Sequence, residues 1–237
     1  MDNELIELCS KIKEEISNEN TFHLGIENLL LLRKRLFNAI LQLKAELCRD
    51  DFNAMPFIGE DGFHSKTIAY SIWHIFRIED IVSHALINGD VQIFFSENFQ
   101  ERIGSPIITT GNELVKQRIG DFSEKLDLEA LYQYSTKVKA NTEFMLKNLV
   151  FADLKRSFTI EDKLRLESLC VVSQSDNAKW LIDYWCGEDL KGLILMPFSK
   201  HWMAHIHACM LIRNKLIQNE DITDYNNISD FYIACFR

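Results

Sequence analysis

Four stretches of this chain, 22–49, 65–88, 128–150 and 197–216, place apolar residues three and four positions apart and contain few helix breakers. That spacing is the helical period, and it lines one side of each stretch with hydrocarbon that must find a neighbour. In the first, Ile26, Leu29, Leu30, Leu36, Phe37, Ile40, Leu43 and Leu47 recur in this way. Arg33 and Lys34 sit between them on what reads as a wetter face. In the second, His74, Ile78, Ile81, Val82 and Ala85 form the cleanest core-facing seam, with Arg77, Asp80 and His84 on a neighbouring stripe. The chain holds only nine Gly and three Pro in 237 residues, so few points can end a helix. No strand-like alternation competes. The expectation is an all-α fold, an elaborated four-helix bundle in one domain over 1–237 with its core at about 22–216.

Shorter pieces decorate that core. An amphipathic helix is expected over 4–17. Residues 50–64 hold Pro56, Gly59 and Gly62 and read as a loop, rich in aromatic and acidic residues, whose commonest use is as a hydrophobic anchor. Ser65 is a plausible N-cap and Gly89 a stop for the second long helix. Residues 91–122 read as an insertion: a short helix in VQIFFSENF, a turn in GSPIITTG, and a helix opened by the capping-box pattern Thr110-x-x-Glu113. Asp127 caps the third long helix. Thr159 caps a helix over 160–170, and Ser175 or Asp176 opens one running through Trp185 to Gly187. The tail over 219–237 starts polar and ends in an aromatic segment expected to dock on the body.

Charge and cysteine usage narrow the setting. A net charge of −9 with no Lys/Arg cluster argues against nucleic acid or an anionic membrane as the main partner. The six cysteines are scattered, without a C-x-x-C pair, and fit reduced thiols in a cytoplasmic protein. The start, MDNELIELCSKIKEE, is acidic and amphipathic rather than a signal peptide. No apolar run reaches the roughly 18–20 residues that span a bilayer.

The chemistry concentrates in PFSKHWMAHIHACMLIRNKL, residues 197–216. His201 and His205 are one turn apart on the side that also carries Phe198, Ala208, Cys209, Ile212 and Leu216. A single core histidine is usually a hydrogen-bonded structural residue. Two on one buried stripe each need polar partners in an apolar setting, and a divalent metal supplies a partner for both. His74, on the seam of another long helix, offers a third imidazole. Three histidines with an open position describe a catalytic-type site rather than a closed structural one. Cys209, one turn beyond His205, reads as a small buried core residue. His23, His64, His84 and His207 fall on other faces or in loops and read as non-ligands. Glu79 reads as a solvated helix charge, with a proton-handling role as the alternative. Glu-x-x-His, H-E-x-x-H, G-x-S-x-G and G-x-x-x-x-G-K-[ST] are all missing, which removes the usual signals for di-iron bundles, zincins, α/β-hydrolases and P-loop NTPases.

The run TIAYSIWHIFRIEDI with its one seam histidine, followed more than a hundred residues later by a PxxxHxxxH helix, resembles the DinB-like (YfiT-like) family of metalloenzymes. The resemblance covers about 22–216, apart from 91–122 and 151–196. It implies a four-helix bundle holding a divalent transition metal, zinc or nickel, on His74, His201 and His205. It further implies metal-dependent thiol chemistry on a small-molecule substrate, a low-molecular-weight thiol serving as co-substrate, and a homodimer. Hydrolysis by activated water is the related reaction. A non-catalytic metal-binding or stress-related interaction protein is the alternative, because no acid, base or nucleophile accompanies the histidines in sequence. A purely structural bundle with buried histidines is a third reading.

Overall fold

The computed structural model describes residues 3–218. Those residues are mostly helical, and they contain no strand beyond an isolated bridge between Ser157 and Asp189. The expected docking of the aromatic tail lies outside them. In chain order the helices are α1 (Asn3–Ile16), α2 (Phe22–Glu46), α3 (Arg49–Asn53), α4 (Ile68–Asp80), α5 (Ile93–Ser96), α6 (Phe99–Ile103), α7 (Gln117–Ser123), α8 (Leu128–Lys147), α9 (Ile160–Ser168), α10 (Trp180–Gly187), α11 (Leu190–Leu195) and α12 (His201–Gln218). A π-helical stretch, Ile81–Asn88, continues α4, and a π turn, Met196–Lys200, leads into α12. Among the described residues no helix is long and apolar enough to cross a membrane.

α2, α4, α8 and α12 pack in a closed circuit: α2 on α8, α8 on α4, α4 on α12 and α12 on α2. α1 lies along α2. The apolar seams explain the circuit, since each buries the hydrocarbon that its neighbours leave open. α4 departs from the one-seam expectation. Every residue from Ile68 to Ile87 is buried, including Arg77, Asp80 and His84 on the neighbouring stripe. The reason is the 91–122 segment, which folds over the side of α4 that a plain bundle would leave wet. Asp80 accepts the backbone N–H groups of Ile93 and Phe94, both at 2.9 Å, and so fixes the start of α5. Arg77 donates to the Ile108 carbonyl at 2.6 Å and to Gln92 Oε1 at 2.9 Å.

Two sequence readings on charged residues are corrected here. Arg33 and Glu79 are both fully buried, not solvated. They form a two-pronged ion pair, with N–O distances of 2.7 and 3.0 Å. Arg33 also donates to the Phe198 carbonyl at 2.9 Å, inside the π turn, and lies 3.4 Å from Glu143 of α8. Trp202 of α12 donates its indole N–H to Glu79 at 2.7 Å, while the Arg33 guanidinium covers its ring at 4.3 Å. One charge pair therefore joins all four long helices. Burying two ions is costly unless nearly all of their polar atoms are partnered; here both Glu79 oxygens and both terminal Arg33 nitrogens are hydrogen-bonded, while Arg33 Nε has only the nearby Glu143 charge.

Local boundaries also shift. The expected loop at 50–64 contains most of α3 and a 3₁₀ turn, Phe63–Ser65. Thr67 rather than Ser65 caps α4, accepting from the Tyr70 N–H at 2.9 Å. Thr110-x-x-Glu113 opens no helix: Gly111 takes φ +80°, and the next helix starts at Gln117. Turns occupy 176–179, so α10 begins at Trp180. Gly89 at φ +71° ends the α4 extension as expected. Asp127 and Thr159 cap α8 and α9, accepting from Ala130 N–H at 2.8 Å and Asp162 N–H at 3.3 Å.

Breaking the buried pair from one side should be severe. Glu79→Gln is expected to lower the unfolding free energy in urea by about 3–5 kcal/mol, and an Arg33→Met/Glu79→Leu double variant by clearly less. A loss below about 1 kcal/mol for Glu79→Gln would contradict the central role given to the pair.

Candidate metal centre

The structure brings His74, His201 and His205 together. One ring nitrogen from each lies within 4.8 Å of the other two. Ring centroids are 5.1 Å apart for His74–His201, 4.8 Å for His74–His205 and 4.7 Å for His201–His205. All three are buried. The i, i+4 spacing on α12 stacks the second pair, and the α4–α12 contact brings the first residue to them. The π turn sets the approach. Pro197 has no N–H to give to the preceding turn, and the His201 N–H reaches back to the Met196 carbonyl.

Hydrogen bonding defines the state of each ring. His74 Nδ1 lies 2.6 Å from the Thr110 carbonyl, which can only accept, so Nδ1 carries the hydrogen and Nε2 keeps its lone pair. The acceptor comes from the 91–122 segment, which thereby orients a site histidine. Tyr70 stacks on the same ring at 5.4 Å and anchors the segment by donating to the Gly111 carbonyl at 3.0 Å. On His205 neither ring nitrogen has a hydrogen-bond partner, and His201 Nδ1 has none. Leaving such atoms unpaired in a buried place costs about 1–3 kcal/mol each.

Burial pushes the pKa of all three imidazoles down. It is the largest cause for each, and the neighbouring imidazoles and the Lys66 charge add to it at His74 and His205. His201 falls to about 3, with Lys66 as the second cause. Near neutral pH the cluster is thus three uncharged nitrogen donors, the form a divalent metal requires. Tetrahedral ligation at 2.0–2.1 Å would need donors about 3.3 Å apart, so the donor set closes by a small side-chain adjustment. The residues fit such an ion.

A cavity of about 630 Å³, mouth included, opens beside the cluster. Trp180, Tyr184 and Trp185 of α10 form one wall, and Phe63, Met196 and Pro197 others. Phe63 meets His205 edge-on at 4.7 Å. The 50–64 segment is thus an anchor, through buried Phe57, and also lines the site, through Phe63. Lys66 and Asn112 add polar groups to the lining, and among the described residues no carboxylate belongs to it. Lys66 is only partly exposed, and burial pushes its ammonium down to about 8. Sequence reasoning missed Lys66, Asn112 and the α10 wall. The aromatic spacing in WLIDYW was the one available signal for that wall.

The remaining histidines stay away from the cluster, as expected. His64 pairs with Glu60 at 3.0 Å and His84 with Asp90 at 2.7 Å. His23 is exposed, and His207 faces a different surface. Cys209 is buried, and burial pushes its thiol up to about 12, which fits the core reading rather than a nucleophile. No protein-family model matches the chain, and no curated protein matches it either.

The depressed histidines make a stability prediction for metal-free protein. Each binds a proton in the unfolded chain below about pH 6.5 but not in the fold, so stability is fully present above that pH and falls as pH falls, toward about 3 for His201. Urea unfolding between about pH 7 and pH 5 should show a slope approaching 1.4 kcal/mol per pH unit per buried histidine. A shallower slope is expected for His205→Gln. A wild-type profile that stays flat would show that the rings protonate freely in the fold.

Proposed function

We propose that this chain is a DinB-like metalloprotein in which His74, His201 and His205 hold one divalent transition metal, zinc or nickel. α2, α4, α8 and α12 are the four helices of its bundle, and the remaining helices are additions to one domain. The observation that carries the reading is the convergence of three buried, uncharged imidazoles, two of them with partnerless nitrogens, beside a cavity. A metal held by three imidazoles keeps an open position at which a thiol or water becomes a nucleophile near neutral pH. The composition of the cavity favours the thiol. Hydrolysis usually also calls on a positioned general base, and among the described residues no carboxylate lines this space. A thiol needs only to lose its proton, in surroundings of low polarity that favour its nucleophilicity.

The reaction we favour is therefore transfer or isomerisation with a low-molecular-weight thiol, in the reducing cytoplasm that the scattered cysteines suit. The protein's own part is to hold three neutral donors, orient His74 through Thr110, and exclude water with the α10 aromatics. One observation favours the second reading, a non-catalytic metal-binding or stress-related interaction protein: among the described residues the cavity presents no thiol, serine or threonine hydroxyl, or carboxylate. Turnover with a panel of thiols and electrophiles that requires His201 would exclude it.

Metal analysis of protein purified without an affinity tag should give about one metal per chain, and well under a tenth of that for His74→Ala or His205→Ala. Wild-type protein equally poor in metal would refute the reading. Gly111→Ala supplies a graded test. Its Cβ would stand 2.7 Å from the Trp73 ring and 3.0 Å from the Tyr70 ring, at a backbone angle that favours glycine. Displacing Thr110 from His74 in this way should weaken metal binding by about 10–100-fold in a chelator competition. Unchanged affinity would remove Thr110 from the account.

A further inference from the structure

Among the described residues the cavity beside the histidines carries one ionic side chain, Lys66. Among the described residues no carboxylate oxygen lies within 4 Å of its ammonium. Its neighbours are rings: Nζ lies 5.0 Å from the Phe63 centroid and 5.6 Å from the Tyr70 centroid. Phe63 in turn touches His205, and Tyr70 stacks on His74, so each ring bridges the ammonium to a histidine of the cluster. The ammonium belongs to the same enclosure as the cluster. Ring faces attract a cation weakly compared with a charge-assisted hydrogen bond. A partly buried lysine held over two rings beside uncharged imidazoles, with no described carboxylate in direct contact, is suited to receive an anion. Asn112 in the same lining adds an amide NH2 that can donate to such an anion. The rest of the wall, Trp180, Tyr184 and Trp185, suits a flat apolar body.

We infer that Lys66 is a specificity residue of this site, and that the molecule entering the cavity is an organic anion with a carboxylate head on Lys66 and an aromatic or apolar body against α10. This deepens the metal-centre reading by naming a substrate class, and it rests on that reading only for the chemistry that follows binding. Depression of the lysine by burial supports it, because a bound anion offsets the desolvation that the ammonium otherwise bears. A carboxylate-bearing ligand would also answer the absence of acids in the lining, since it brings the negative charge that the protein withholds.

Two isosteric probes test this, 2-naphthoate and the neutral 2-naphthamide, with binding followed by tryptophan fluorescence because Trp180 and Trp185 line the cavity. Each is titrated into protein as purified and into protein stripped with a chelator. Naphthoate should bind at least about tenfold more tightly than naphthamide in both preparations. Lys66→Met should erase the difference, and Lys66→Arg should keep most of it, with near-ultraviolet circular dichroism verifying that both variants are folded. Equal affinities for the two probes, no binding of either, or a preference that persists in Lys66→Met would overturn the inference. A preference that appears only with metal present and ignores Lys66 would place the carboxylate on the metal, refuting the role of Lys66 while leaving the metal centre standing. Loss of metal from His74→Ala with the Lys66-dependent preference retained would separate the two readings in the other direction.

Discussion

The ion pair between Arg33 and Glu79 is the constraint on which the rest of this structure depends. Each group is fully buried, and each takes partners from other long helices: Glu143 of α8 lies by Arg33, and Trp202 of α12 donates to Glu79. Two buried charges tolerate only an arrangement in which nearly all donors and acceptors are met, so the network admits few registers among the helices it joins. It also reaches the site. Glu79 lies on the same helix as His74, Trp202 follows His201 directly, and the Phe198 carbonyl that Arg33 holds belongs to the π turn that aims α12. The polar network fixes the frame, and the frame fixes where the imidazoles meet.

The site itself is defined as much by what it excludes. Burial holds three imidazoles uncharged, no described residue of the lining is an acid, and the buried thiol of Cys209 is pushed up to about 12. A donor set of this kind has little capacity for acid–base chemistry of its own. It is suited to holding a cation, with the cavity and its lone ammonium deciding what approaches. The 91–122 segment takes part in both functions: Thr110 sets the tautomer of His74, and Asn112 faces the cavity. An insertion that the sequence sets apart from the bundle, with its role left open, contributes to the site.

How much of this was legible in the sequence follows from the range of the interactions. His201 and His205 are one helical turn apart, so their pairing is local and readable from spacing. His74 is readable as inward because its seam repeats over three turns of one helix. Arg33 and Glu79 are not, because hydropathy places both in water and their pairing spans 46 residues. The Thr110-x-x-Glu113 pattern misleads because Gly111 turns the chain at φ +80° so that a carbonyl reaches His74. Lys66 escapes notice because Phe63 and Tyr70 flank it in sequence, whereas the α10 aromatics and the α12 histidines that share its cavity reach it only in the fold. Periodicity reveals helices and their inner faces, whereas it says nothing of which polar groups from distant segments share an enclosure.

The central claim is that His74, His201 and His205 form one metal centre, and crystallographic anomalous scattering tests it most directly. Data collected on either side of the zinc and nickel absorption edges, from crystals of untagged protein, should show a single strong peak about 2.0–2.2 Å from one nitrogen of each ring. The His74 contact should be through Nε2, with Nδ1 still on the Thr110 carbonyl. Crystals grown with added zinc or nickel that show no peak among the three rings, or a peak bound elsewhere while the rings hydrogen-bond to water, would contradict the account.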